Sequence, residues 1–161
     1  MNFLKSKIVL ALALAITGTA SAGTNSTPFN VSADVIKECA IDGGNLVFAD
    51  TGLLLQNVDA TANIQIECTG ALPYTLKNNG TYYSDAASPI GNSFELLSGS
   101  NRIGFLLYSD ASHTTAFAGA ATIAGTSTGG VEQIPVYGRI YSQAGKPAGA
   151  YTAVLPLTLT F

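Results

Sequence analysis

The sequence is poor in the residue types on which enzymes usually rely for chemistry. It contains one histidine, His113, two cysteines and no tryptophan. No glycine-rich phosphate loop follows a strand pattern, and no serine, histidine and aspartate form a motif with local support. We therefore predict no catalytic residues, no cofactor and no metal, and we interpret His113 as a solvated loop residue.

The N-terminus carries the features of a secretory signal peptide. Lys5 and Lys7 precede an apolar run over residues 8–16, and the small residues Ala20-Ser21-Ala22 follow it. The run is short for a membrane span, and the A-x-A pattern predicts cleavage after Ala22. We expect residues 1–22 to be removed and the mature protein to begin at Gly23. A retained N-terminal anchor is the alternative.

Basic residues are few in the remaining chain. Removing Lys5 and Lys7 with the leader leaves five basic residues against ten acidic ones, a formal charge of −5. Nucleic acid and anionic membranes are therefore not expected partners.

The two cysteines are predicted to pair with each other. Export delivers thiols to an oxidising compartment, and Cys39–Cys68 is the one intrachain bridge that the sequence allows. A metal site or a redox pair is the alternative, although the spacing is far from C-x-x-C and there is a single histidine.

Apolar residues alternate with period two along the mature chain, which predicts an all-β domain. The clearest predicted strands are Phe29–Val35, Thr61–Cys68 and Tyr151–Phe161. Shorter predicted strands are Leu46–Phe48, Tyr74–Leu76, Ile103–Tyr108 and Ile134–Tyr141, whereas residues 78–101 and 109–130 are interpreted as long loops or weak strands. This spacing suits a sandwich of two sheets.

Both outer predicted strands are unusual for a self-sufficient monomer. The first stands close before Cys39, which leaves it little freedom to fold back on its own domain. The last stops at Phe161 in the middle of its alternation, and we expect it to leave an open sheet edge.

Several segments together resemble the spore coat protein U domain family, which includes the pilins of archaic chaperone–usher pili. The resemblance extends over the mature chain and rests on the order and spacing of its motifs. They are Phe29-x-Val31-x-Ala33-x-Val35 before Cys39, Leu46-Val47-Phe48, Asn57–Thr61 leading into Ile64–Thr69, Leu107–Asp110, Ile134–Ile140 and Pro147–Phe161.

The resemblance implies an immunoglobulin-like β-sandwich that lacks its last strand and is completed by donor-strand exchange. Residues 23–36 would be the N-terminal donor strand and residues 37–161 the pilin domain. The implied partners are a periplasmic chaperone, an outer-membrane usher and neighbouring pilin subunits. The implied location is a pilus on the surface of a Gram-negative bacterium, serving surface attachment and biofilm formation.

The resemblance also implies two sets of binding residues. The donor strand would insert four alternating side chains, those of Phe29, Val31, Ala33 and Val35. The acceptor groove and chaperone contact would be formed partly by Tyr151, Leu155, Leu157, Leu159 and Phe161. The sequence departs from the family pattern at Ala49, where glycine is common, and at Ala153, where an acidic residue is common. Pro156 removes one backbone donor from the last predicted strand, which either a bulge or an N–H position facing the open groove would accommodate.

Two other functions remain open from the sequence. One is a tip or adhesive subunit, for which Tyr82-Tyr83 would offer a sugar-stacking platform, although we interpret this pair as ordinary loop packing. The other is a secreted monomeric coat or glycan-binding β-domain whose N-terminal strand pairs within its own sheet. Asp42, Asp50 and Asp59 are scattered without calcium-loop spacing, and we interpret them as solvated carboxylates.

Overall fold

The computed structural model describes residues 22–81, 83–84 and 92–161. The predicted signal peptide, apart from Ala22, and Tyr82 lie outside the described residues. Within those ranges no helix has the length and hydropathy to cross a membrane. The chain divides into two units, Met1–Ala33 and Asp34–Phe161.

The described part of the first unit, residues 22–33, forms neither strand nor helix, and its side chains are exposed. The predicted strand Phe29–Val35 is therefore absent as a strand, because these residues take part in no backbone ladder. Alternation in sequence specifies which side chains share a face, but a strand also needs a partner segment.

The second unit is all-β among its described residues. Its strands are β1 Cys39–Asp42, β2 Val58–Cys68, β3 Pro73–Asn78, β4 Tyr83–Ser84, β5 Asn92–Ser98, β6 Asn101–Tyr108, β7 Thr122–Thr126, β8 Val131–Ile140 and β9 Leu157–Thr160. The larger sheet has the order β1-β2-β8-β6-β5-β4 and the smaller sheet the order β7-β3-β9. All pairings are antiparallel.

Four of the predicted strands are confirmed as β2, β3, β6 and β8, and the C-terminal prediction is confirmed over β9. The prediction of a strand at Leu46–Phe48 is wrong, because this segment runs without a ladder partner. Strands β5 and β7 lie in the segments interpreted as long loops or weak strands.

The core lies between the inner faces of the two sheets. Along β2, alternate side chains point inward, and Ile64 and Ile66 are buried while Gln65 between them is exposed. The smaller sheet contributes Leu76, and the larger sheet contributes Phe94 and Phe105, whose ring centroids are 5.6 Å apart. The period-two pattern is thus the direct signature of one buried face per sheet.

The predicted disulfide is confirmed. Cys39 and Cys68 are directly opposite in the β1–β2 ladder and are joined with a Cα–Cα distance of 4.1 Å. We call this end of the sandwich, where β2 ends, the disulfide end. The opposite end, where β2 begins at Val58 after Leu54, is the Leu54 end.

The interpretation of His113 as solvated is wrong. Its side chain is 9% exposed, and its ring packs edge-on against those of Tyr108 and Tyr137 at 5.1 and 6.2 Å. Its Nδ1 accepts a hydrogen bond of 3.2 Å from Arg139, which also binds Asp59 through two bonds of 2.6 and 2.7 Å. The hydrogen bond from Arg139 lowers the pKa of the Asp59 carboxyl.

Candidate strand-acceptor groove

Strand β9 forms one edge of the smaller sheet. It pairs with β3 from Thr75 opposite Thr160 to Asn78 opposite Leu157. On its other side, no strand of the described residues pairs with it. An unpaired strand edge of this kind presents free N–H and C=O groups for another strand.

The register shows which backbone groups face this free edge. The N–H of Asn79 donates to the carbonyl of Pro156 at 2.8 Å, just before the ladder of β9 begins. Because hydrogen-bonded and non-bonded pairs alternate in an antiparallel ladder, Thr158 and Thr160 direct their backbone groups toward β3. Leu157 and Leu159 therefore direct theirs toward the free edge.

The same hydrogen bond explains how Pro156 is accommodated. Its carbonyl faces Asn79, so the position of its missing N–H is on the β3 side, one residue before β9 starts. Proline is tolerated at the start of a strand, where it forfeits a single terminal ladder bond. Neither a bulge nor a groove-facing N–H is required.

An open apolar cleft lies beside the C-terminal segment. Its volume is about 190 Å³. One wall is formed by Ala153, Leu155 and Leu157, and the other by residues 43–46 and Phe48. The floor belongs to the core and is formed by Ala62, Ile64, Leu96, Phe105, Leu107, Phe117 and Val136. Two chain segments, which lie outside the strands except at Leu157 of β9, thus flank a strip of the hydrophobic core.

Local sequence explains the wall opposite β9. Gly44 has a φ of +60°, and a Cβ there would lie 2.7 Å from the carbonyl oxygen of Asn63, so only glycine fits this turn. Its N–H donates to the Asp42 carboxylate at 3.1 Å. The turn leads the chain off β1, and Leu46 then lies on Gly138, where an added Cβ would come within 2.6 Å of it.

Only two of the five predicted acceptor residues line the cleft. Leu155 and Leu157 line the cleft, whereas Tyr151 and Leu159 pack against the core, partly buried, without lining it. Phe161 is 53% exposed.

Sequence reasoning missed the opposite wall as part of this site. Leu46 and Phe48 belong to a short alternating segment, but no pattern in the sequence indicates that they face Leu155 and Leu157 across a gap. Phe117 was also missed, because it lies in a segment interpreted as a long loop or weak strand.

The predicted donor residues all have exposed side chains. Phe29 is 90% exposed and Val31 is 80% exposed, and Ala33 is also exposed. In the second unit, Val35 is 83% exposed. A row of large apolar side chains is therefore in contact with water, which is unfavourable unless another surface covers it.

A family model described as the Spore Coat Protein U domain matches residues 25–158. The chain belongs to the spore coat protein U domain family. Among curated proteins, none matches this spore coat protein U domain chain in sequence.

Among solved structures, the chain matches one from the crystal structure of the CsuC–CsuE chaperone–tip adhesion subunit pre-assembly complex from archaic chaperone–usher Csu pili of Acinetobacter baumannii. The match has 17% sequence identity and a TM-score of 0.56, and it covers 79% of this chain and 40% of that chain. The present chain thus spans less than half the length of the chain that it matches. This chain has the fold of an incomplete immunoglobulin-like sandwich, as the resemblance to the family implied.

Proposed function

We propose that this spore coat protein U domain is a structural subunit of a surface pilus assembled by donor-strand exchange. The free edge of β9 beside an apolar cleft is the observation that supports this proposal. One added strand would both pair with the free edge and cover the exposed apolar cleft. The added strand would pair with the backbone groups of Leu157 and Leu159. Its alternate side chains would fill the cleft over the core.

The proposed donor is the segment of residues 23–36 from another subunit, and the proposed acceptor is the domain of residues 37–161. Four residues of the segment alternate as apolar groups, and Asn30, Ser32 and Asp34 lie between them. A strand with this parity places Phe29, Val31, Ala33 and Val35 on the buried face.

Burial of the exposed donor side chains and new ladder bonds would both favour the proposed joint. Burying Phe29, Val31 and Val35, which are exposed in the single chain, stabilises by about 1.5–3 kcal/mol each. With ladder bonds added, a joint gains on the order of 5–10 kcal/mol before the costs of association and ordering.

The partners proposed are a periplasmic chaperone that covers the groove first, an outer-membrane usher and the neighbouring pilin subunits. A chaperone is part of the complex named for the structural relative. Export through the periplasm to the surface of a Gram-negative cell, attachment and biofilm formation complete the proposal. The role is structural and not enzymatic.

Size-exclusion chromatography of the mature protein, produced with and without its cognate periplasmic chaperone, tests this function. We expect a soluble chaperone–subunit complex in the first case and aggregated, degraded or polymeric protein in the second. A stable, non-exchanging monomer made alone would instead support the secreted monomeric β-domain.

A further inference from the structure

The loop of residues 52–57, called here the leucine loop, presents two leucines to solvent. Leu54 is buried at 4% exposure with a φ of +50°, a left-handed conformation that is disfavoured for a residue with a Cβ. Its neighbours Leu53 and Leu55 are 75% and 66% exposed. The buried residue between them fixes both side chains in their outward positions.

Hydrogen bonds hold the leucine loop firmly on the sandwich. The carbonyl of Leu54 accepts from the N–H of Gln143 at 2.8 Å, and the Asn57 side chain accepts from the N–H of Ser142 at 3.1 Å. The Gln143 side chain in turn binds the N–H and the carbonyl of Gly104 at 2.9 and 2.6 Å. The loop is therefore a preorganised protrusion, which loses little freedom on contact with a partner.

The direction of β9 determines what the leucine loop would meet in a polymer. Thr152 pairs with Leu97 at the Leu54 end, and Thr160 pairs with Thr75 toward the disulfide end. A strand that joins β9 in the more stable antiparallel arrangement runs the opposite way. Its carboxyl end, near Val35, would then emerge at the Leu54 end of the accepting subunit.

That emerging end is tied to the disulfide end of its own subunit. The carbonyl of Ile36 accepts from the Thr69 hydroxyl at 3.0 Å, and the same hydroxyl accepts from the N–H of Glu38 at 3.1 Å. Thr69 directly follows Cys68. The disulfide end of the donating subunit is therefore brought against the Leu54 end of the accepting subunit.

These two ends are complementary in character. The disulfide end exposes Ile36 at 71% and Val131 at 53%, which matches the apolar surface of Leu53 and Leu55. Carboxylates at the disulfide end belong to Glu38, Glu67 and Glu132, with one lysine, Lys37, beside them.

Cations lie at the Leu54 end. Arg102 has a side chain that is 56% exposed and binds Glu95, which is itself 6% exposed, and Lys146 is exposed after the Gln143 anchor. The exposed apolar groups thus match between opposite ends of one molecule, whereas Arg102 is already paired with Glu95 at its own end. A contact between different patches of identical copies extends into an open filament when its rotation does not close into a ring.

We propose that the leucine loop of each subunit packs on the disulfide end of the copy that donates its strand, and so sets the angle of each joint. The partner is a second copy of this chain. The inference rests on the proposed strand exchange, because that exchange brings the two ends together.

Site-specific photo-crosslinking in assembled polymers tests this contact. A benzophenone amino acid replaces Leu53, and the matched control carries it at Lys77, an exposed position on β3. We expect position 53 to crosslink to residues 36–38, 67–71 or 128–132 of another copy. Position 77 should not reach those residues. Polymers that form normally but give no crosslink to these ranges overturn the contact.

The double variant Leu53→Ser with Leu55→Ser provides a second readout. Its polymers should still show ladders in unheated gels, since the strand joint is unchanged, but electron microscopy should show loss of a single preferred joint angle. Retention of the wild-type angle overturns the inference while leaving strand exchange intact. If wild-type protein itself forms no ladder, the proposed function fails first.

Discussion

Replacing Val31 by aspartate should prevent joint formation, whereas the same change at Ser32 should not. In the proposed joint, position 31 points into the apolar cleft and position 32 points away from it. Each variant adds one aspartate and therefore the same negative charge, and the two substituted positions are adjacent. Parity alone therefore separates their expected behaviour.

The size of the effect follows from burial. Val31 is 80% exposed in the single chain, and its full burial is worth about 1.5–3 kcal/mol. An aspartate there forfeits this term and must lose its charge or be buried unpaired, at about 1.4 kcal/mol for each unit by which its pKa rises. A total loss of about 4 kcal/mol or more weakens the joint roughly a thousandfold.

The assay compares purified chaperone–subunit complexes of Val31→Asp and Ser32→Asp. Fibres are scored by electron microscopy and by ladders in unheated gels. We expect Ser32→Asp to polymerise almost normally and Val31→Asp to stay at the chaperone-bound stage, because the donor segment is not yet inserted there. Acidification toward pH 4 should partly restore Val31→Asp by neutralising the carboxylate.

Two results would refute this reasoning. Equal assembly of both variants would mean that the buried face of the segment is not the one assigned here. Failure of Val31→Asp to reach the chaperone-bound state would mean that this residue acts in folding of the subunit and not in joining subunits.

Three further predictions concern the domain itself. Replacing Cys39 and Cys68 by serine should lower the free energy of unfolding by about 3–4 kcal/mol and reduce periplasmic yield, as measured by urea denaturation and immunoblotting. Deleting residues 157–161 should abolish chaperone capture and lead to degradation, and normal secretion of the truncated protein would contradict the role given to β9. The lowered pKa of Asp59 means that its pair with Arg139 stabilises above pH 4 and is lost as pH falls through the lowered pKa. The variant Arg139→Gln should thus lower the free energy of unfolding by about 1 kcal/mol or less at pH 7, because Asp59 is half exposed. The difference from wild type, followed by urea midpoints, should shrink as the pH falls through the lowered pKa of Asp59.

Alternation in the sequence predicted much of the sandwich because one face of each strand is buried. Along β2 the apolar residues at positions 64 and 66 are buried, as their parity required. The pattern was weaker for β7, where Ile123 is followed by Ala124 and Gly125. Its pairing with β3 depends on a turn and a register that residue types do not specify.

The site was less predictable than the fold, because it is a gap between segments distant in sequence. Leu46 and Leu155 line the same cleft across more than a hundred residues. Their alternation indicates a strand, yet neither residue lies in a strand of this structure, because neither has a ladder partner among the described residues.

The burial of His113 was also not predictable from the sequence. Its neighbours in sequence are polar, and its burial comes from Tyr108 and Tyr137, which lie at facing positions of β6 and β8. A positive φ of 56° turns the residue back onto that pair. Such packing is a property of the sheet register and has no local signature.

Hydrogen exchange with mass spectrometry, comparing assembled polymers with the chaperone-bound subunit, tests strand exchange most directly. If residues 23–36 join β9 of a neighbour, the amides between Phe29 and Val35 gain ladder bonds and should exchange about a hundredfold or more slowly in the polymer. Equal and fast exchange of this segment in both states would contradict the assembly proposed for this chain.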